Sequence, residues 1–272
     1  MNAATALAAF GEREAPVARP RRLLSLAPGR ASVRLAKATM FSLETLQWTR
    51  EHFDVVEHGV APDLHRRVHH LQWVAENMCA LHGIEVITHG EIPNEAAIFV
   101  ANHLGYLDPI ALNCSLACAP VAKREVEAWP VIGEAIARLG CLFVDRDCPH
   151  SGAKVLLWAK ACLDAGVSVL AFPEGTTSRG ETVLPMKRGM FGLAALTGKP
   201  IVPIAISHDD PATAWVDDEL FVPHYLRLTG RSVTRVRVRF GDAIHPPANG
   251  RAEALTEHVR QTIAAMLPAR AT

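Results

Sequence analysis

The chain is poor in aromatic residues, which make up 6% of its 272 residues with only two tyrosines, and it has no long uninterrupted apolar run. A membrane-spanning helix needs about 18 or more consecutive apolar residues. The longest candidate, residues 109–122, is broken by Asn113, Ser115 and Pro120, so no spanning helix is expected. Residues 1–22 hold a short apolar patch interrupted by Glu12, Arg13 and Glu14, with no positive stretch before it, and no signal peptide is expected either.

A surplus of one charge is also missing. The 28 basic residues balance the 28 acidic ones, and the signatures of RNA and DNA readers are absent, so no nucleic-acid partner is expected and any anion must be met locally. The six cysteines, Cys79, Cys114, Cys118, Cys141, Cys148 and Cys162, form no C-x-x-C pair and no metal-ligand spacing. Free thiols in a reducing compartment, and no metal, are the expectation. Residues 192–200 have one residue too many for a phosphate-cradling loop and no Ser or Thr after the lysine. There is no G-x-S-x-G elbow and no H-E-x-x-H helix, which removes the usual serine-hydrolase and zinc-protease signatures.

What is present is apolar mass: 49% hydrophobic against 21% charged residues, enough for a large buried core. Residues 1–30, rich in Ala, Pro and Arg, read as a flexible arm whose Arg19, Arg21 and Arg22 are most simply solubilising, with contact to anionic head groups the alternative. Residues 31–82 read as an N-terminal helical segment. Its first helix, 32–53, gathers Val33, Leu35, Ala36, Met40, Leu43 and Leu46 towards one side. The second opens at Asp63 as N-cap, carries a stripe from Leu64 through Val68, Leu71 and Ala75 to Leu81, and stops at Gly83. Its His65 and His69 have the i, i+4 spacing of metal ligands, but no third ligand is evident, and a wet polar face is the simpler reading.

Residues 83–272 form the main domain. Expected strands at 84–88, 97–101, 121–123, 141–146, 167–172, 201–207 and 233–240 alternate with helices starting at 109 and at 131–139, 151–165, 190–196 and 252–267. The class is therefore α/β, a central mostly parallel sheet flanked by helices. Ligands on such sheets gather where strands end.

Four strand ends carry polar residues. After the strand at 97–101 comes Asn102-His103, with Asp108 five residues beyond His103. On one helix those side chains would point about 140° apart, so they can meet only across a turn. Asp108-Pro109 looks like N-cap and N1 of a helix, and a strand-end histidine facing that aspartate makes a general base with an orienting carboxylate. The alternative is that Asp108 only caps and His103 only packs. The second strand end gives Asp145-Arg146-Asp147, where Arg146 can clamp a phosphate or carboxylate or pair with its neighbours. The third, Glu174-Gly175-Thr176-Thr177-Ser178-Arg179-Gly180, offers N–H groups, hydroxyls and a carboxylate, with Lys187 and Arg188 following. An ordinary loop is the alternative there. In the fourth strand, Pro203 is expected to mark an edge or a bulge.

Taken in order, Asn102-His103-x-x-x-x-Asp108, Gly140-x-x-Phe143-Val144-Asp145-Arg146, Phe172-Pro173-Glu174-Gly175-Thr176 and Val202-Pro203-Ile204 resemble the four motif blocks of the glycerolipid acyltransferase family, which includes the bacterial 1-acylglycerol-3-phosphate acyltransferases. The resemblance covers about residues 83–207, and the Val121-Ala122-Lys123 segment fits it. It implies a glycerol-3-phosphate acyltransferase-like fold for 83–272, acting as an acyltransferase domain with no cofactor. It also implies a membrane lipid acceptor and an acyl-CoA or acyl-carrier-protein donor. The protein would then be cytoplasmic and peripheral, on the inner face of the membrane, with lysophosphatidic acid the first acceptor to consider. By the motifs, His103 is the base and Asp108 its orienting group. Asn102, Lys123, Arg146, Glu174, Gly175, Thr176, Thr177, Arg179 and Lys187 are the expected substrate-binding residues. One position departs: Thr177 stands where many relatives have arginine, and E-G-T-T-S is similar to the bacterial enzymes that complete ornithine lipids. A lyso-ornithine lipid, with its zwitterionic head, is accordingly the alternative acceptor. A soluble enzyme acting on a specialised metabolite and a non-catalytic lipid-binding protein are the others.

Overall fold

The computed structural model describes residues 27–55, 61–145, 147–216, 219–247 and 251–268. Most of the expected arm, with Arg19, Arg21 and Arg22, lies outside the described residues. From Ala27 onwards the chain is already helical, so helix α1 (Ala27–His52) begins five residues before the expected 32. Helix α2 (Leu64–His82) follows. Asp63 precedes it, but its carboxylate accepts from Arg67 Nε at 2.6 Å instead of capping the helix backbone. Gly83 ends α2 in the left-handed conformation, φ 67°, with its N–H directed to the carbonyls of Cys79 and Ala80.

The sheet contains β1 (Ile84–His89), β2 (Ile98–Ala101), β3 (Ala119–Lys123), β4 (Leu142–Val144), β5 (Val169–Ala171), β6 (Ile201–His208) and β7 (Thr234–Phe240). Its seven strands are ordered β1-β7-β6-β2-β5-β3-β4. From β6 to β4 all neighbours are parallel, whereas β7 runs antiparallel to β6 and carries β1 parallel to itself. The mostly parallel sheet expected from the sequence is therefore present. Helices α3 (Leu107–Ser115), α4 (Arg124–Glu127), α5 (Ile132–Arg138), α6 (Pro149–Asp164), α7 (Gly189–Thr197), α8 (Phe221–Thr229) and α9 (Ala252–Met266) join the strands. The short helix α4 and helix α8, which carries Pro223 in its first turn, were not expected. Neither is long enough to establish a 3.6-residue period of its own.

Strand β2 lies near the middle of the sheet and is buried on both faces, which is why its sequence is a continuous apolar run. Ile98 and Val100 join α6, α7 and α9 residues such as Val155, Phe191 and Val259 on one face. Phe99 and Ala101 join Leu112 of α3 and Leu228 of α8 on the other. A third, smaller cluster sets Phe53 against Leu71 and Leu139, with Trp48 packed beside them. His70 stacks on Trp48 with centroids 3.9 Å apart, and His65 Nε2 lies 2.8 Å from the Ala165 carbonyl. Of the i, i+4 pair, His65 is thus engaged by a backbone carbonyl and His69 is exposed, and among the described residues no group of three or more His, Cys, Asp or Glu side chains could hold a metal.

Helix α1 divides into two halves. Leu46 and Thr49 are buried, whereas Val33, Leu35, Met40 and Leu43 are exposed. Arg34 fastens the exposed half to the end of α8 by hydrogen bonds to the carbonyls of Thr229, Arg231 and Ser232. No helix among the described residues is long and apolar enough to cross a membrane.

Pro203 is not on an edge strand, since β6 lies between β7 and β2. It sits at a register slip: Ile201 pairs with Ile244, but Ile204 pairs with Phe240, one residue out of step. This is a bulge, the second of the two expected roles, and it occurs where the missing proline N–H deprives no ladder partner.

Candidate active site

Because β2, β3, β4, β5 and β6 run parallel, their carboxyl ends share one edge of the sheet. His103 follows β2 at the centre of that edge. Its Nδ1 lies 2.8 Å from Asp108 Oδ2, across the turn that the spacing required. The helix starts earlier than expected, however. Tyr106 is at the N-cap position, and Asp108 lies within the first turn of α3 and does not cap it. The reason is the aspartate itself. Its Oδ2 also accepts the backbone N–H groups of Leu104 (2.5 Å) and Gly105 (2.9 Å), closing the turn ahead of the helix.

Asp108 is fully buried, and its other oxygen accepts from His208 Nε2 at 3.0 Å. Burial opposes its ionisation, but hydrogen bonds from His103 and His208 outweigh burial and hold the carboxyl well below the usual carboxylate range. The His103 ring stacks on Phe172, centroids 4.2 Å apart and planes 26° from parallel, while its Nε2 has no hydrogen-bond partner among the described residues. The side chain keeps 17% of its surface accessible. The arrangement therefore presents an oriented imidazole with one open ring nitrogen.

The backbone around His103 is held on every side. Its N–H donates to Glu174 Oε2 (3.1 Å), its carbonyl accepts from Ser178 N (2.8 Å), and the next carbonyl, of Leu104, accepts from Trp215 N (2.8 Å). Glu174 Oε1 accepts from Leu184 N at 2.9 Å. Burial pushes the Glu174 carboxyl up to about 7 against these two N–H bonds, and the charge of Asp108 adds to the effect. Both carboxylate oxygens thus accept from protein N–H groups, so Glu174 braces the backbone of the site. Asn102 likewise faces protein backbone. It is 1% exposed, and its amide donates to the Ile206 carbonyl (3.0 Å) while its oxygen accepts from Ile206 N (2.8 Å).

Gly175 adopts φ 73°, and a side chain there would approach Lys187 Cε at 3.2 Å, so this turn brings Lys187 beside the motif. Thr176, Arg179 and Lys187 are exposed and Thr177 is half-buried. Lys123 lies on the same sheet edge, two strands from β2, ion-paired with Glu125 at 2.6 Å. Arg146 lies outside the described residues. His208 and its partner Thr213, with Oγ1 2.9 Å from Nδ1, were missed from the sequence. The available signal was position: His208 is the last residue of β6, at the carboxyl edge where ligands of such sheets gather, whereas the expected strand stopped at 207.

The Acyltransferase family profile matches residues 79–207. The lyso-ornithine lipid O-acyltransferase of Rhizobium meliloti (strain 1021) is 32% identical over 212 residues, covering 71% of this chain and 72% of that protein. Human 1-acyl-sn-glycerol-3-phosphate acyltransferase alpha is 36% identical over 133 residues, 47% of either chain. The crystal structure of the 1-acyl-sn-glycerophosphate acyltransferase PlsC from Thermotoga maritima superimposes with a TM-score of 0.62 at 20% identity, covering 86% of this chain and 92% of that one, and so shares the fold. With a relative at this identity aligned over most of its length, and with the fold in common, the chain belongs to the glycerolipid and lysolipid acyltransferase family and is an acyltransferase.

Proposed function

We propose that the protein moves a fatty acyl group from a thioester, acyl-CoA or acyl-carrier protein, to the hydroxyl of a lysolipid, with a lyso-ornithine lipid as the acceptor. The observation that carries the chemistry is the 2.8 Å hydrogen bond from His103 Nδ1 to Asp108, which leaves Nε2 open. In this reading Nε2 takes the proton of the acceptor hydroxyl as the oxygen bonds to the thioester carbonyl carbon. The C–S bond then breaks, and the departing thiolate recovers that proton from the imidazolium. A positioned alcohol and a positioned thioester need no acyl-enzyme intermediate.

Two observations support the acceptor. Relatives named lyso-ornithine lipid O-acyltransferase align over 72%, 76% and 77% of their length, and Thr177 contributes no cation where a phosphomonoester would call for one. The second reading, 1-acylglycerol-3-phosphate, is favoured by the exposed Lys187 beside Gly175 and by Arg179, either of which can supply charge. Purified protein given acyl-CoA and each acceptor separately decides between them. The expected outcome is a kcat/KM at least about tenfold higher for the lyso-ornithine lipid, a preference of about 1.4 kcal/mol. The opposite preference establishes the second reading.

Peripheral attachment to the inner face of the membrane belongs to the same proposal. The exposed Val33, Leu35, Met40 and Leu43 of α1 form its apolar contact. Deleting residues 1–53 would also remove Trp48 and Phe53 from the third cluster, so the sharper test is the double substitution Met40→Asp and Leu43→Asp. This variant should lose flotation with anionic vesicles while keeping its melting temperature. Undiminished flotation would place the membrane contact elsewhere.

A further inference from the structure

We propose that His208 is a positioning residue of the acyl transfer, a doubly protonated counter-ion that neutralises Asp108 so that the aspartate orients His103 without adding a net charge to it. The inference rests on the reading of His103 as base.

It follows from counting protons along a buried chain of groups. Asp108 Oδ1 accepts from His208 Nε2 at 3.0 Å, so that nitrogen carries a proton. His208 Nδ1 lies 2.9 Å from Thr213 Oγ1, and Oγ1 lies 2.6 Å from the Asp210 carbonyl oxygen. A threonine hydroxyl has one proton to give, and a carbonyl oxygen has none. The short contact to Asp210 is satisfied only if the hydroxyl donates there, and Nδ1 must then donate to the hydroxyl. Both ring nitrogens of His208 are thus donors, which makes it an imidazolium. Its side chain is 1% exposed and Asp108 is 0% exposed, so an ion pair is the arrangement that leaves no isolated charge inside.

The surrounding charged groups do not replace His208. On β6 and beyond it, Asp209 is paired with Arg237 of β7 and Asp210 with Arg231. Arg235 of β7 is paired with Glu85 of β1. In α8, His224 hydrogen-bonds Tyr106 at 2.9 Å, and from the loop after β5 Glu174 faces the backbone of His103. Strand β2 and the core side of α3 bring no titratable side chain apart from His103 and Asp108, with Cys114 at the far end of α3. Without the imidazolium, Asp108 would act on His103 as an uncompensated charge. His103 would then stay protonated, and inactive as a base, to higher pH.

The test is the pH profile of kcat/KM for wild type, His208→Gln, Thr213→Val and His103→Ala, with the imidazole 15N spectrum of wild-type His208. His208→Gln should lose roughly tenfold at pH 7, with its acid limb moved up by about one pH unit and the loss recovered by pH 9. Thr213→Val, which keeps the histidine but removes its second acceptor, should move the limb the same way by less. Glu174 titrates in the same window but is unchanged in both variants, so it cannot produce a difference between them. Wild-type His208 should show two protonated ring nitrogens at pH 8. A neutral His208 in the spectrum, or an unmoved acid limb in Thr213→Val and any folded His208→Gln, overturns the inference. If His208→Gln does not fold, Thr213→Val and the wild-type spectrum still decide it. Retained turnover in folded His103→Ala is a different failure, that of the parent reading.

Discussion

The turn that carries His103 and Asp108 and the loop that runs from Glu174 to Lys187 lie side by side, yet they are built on opposite plans. In the turn, Asn102 is bonded through both amide atoms and Asp108 alone receives four hydrogen bonds. Along the rim, Thr176, Arg179 and Lys187 are exposed. In the buried turn one change disturbs many partners, whereas the rim side chains can be exchanged at little structural cost, which suits the proposed division between chemistry and acceptor choice.

The substitution with the largest expected effect tests the buried half of this comparison. Asp108→Asn keeps the shape but loses the carboxylate that selects the His103 tautomer, and kcat should fall by about 10²–10⁴. Stability should fall too. The folded carboxyl titrates below its ordinary value, so its contribution is fully present above the usual aspartate range and is lost only as pH falls through the depressed one. The melting temperature of Asp108→Asn should therefore lie below that of wild type at pH 7, with the gap closing under strongly acidic conditions. Equal kcat values would show that the turn is scaffolding only.

The smaller effect belongs to the rim. Thr177→Arg should leave the melting temperature unchanged and shift the ratio of kcat/KM for 1-acylglycerol-3-phosphate over lyso-ornithine lipid upwards by about three- to tenfold, because the added cation favours a phosphomonoester and repels an ammonium. An unchanged ratio in direct competition would remove position 177 from head-group contact.

The same contrast explains what the sequence makes legible. The parallel sheet follows from apolar runs of strand length alternating with helical stretches, and the meeting of His103 with Asp108 follows from a spacing that no single helix allows. Asn102 is named in the sequence by its motif, but its bonding to Ile206 is visible only in three dimensions. Successive residues at a strand end point to opposite sides, and the side opposite His103 is the interior, where Ile206 takes both amide atoms. The two N–H donors to Glu174, from His103 and Leu184, are equally hidden in a polar loop read as sequence. His208 lies 100 residues from Asp108, and no local pattern encodes such a pairing.

Those separations also bear on how the enzyme comes into being. His103 is tied to Glu174 across 71 residues, Asp108 to His208 across 100, and Asn102 to Ile206 across 104. Helix α3 can form as soon as its own residues are available, but contacts over such distances carry the loop-closure cost that makes non-local pairing slow. During synthesis from the N-terminus, His103 and Asp108 are made well before β6 exists to hold them. The expectation is a nascent chain that stays catalytically silent until the segment through Thr213 has left the ribosome, so that activity is acquired in one late step of folding.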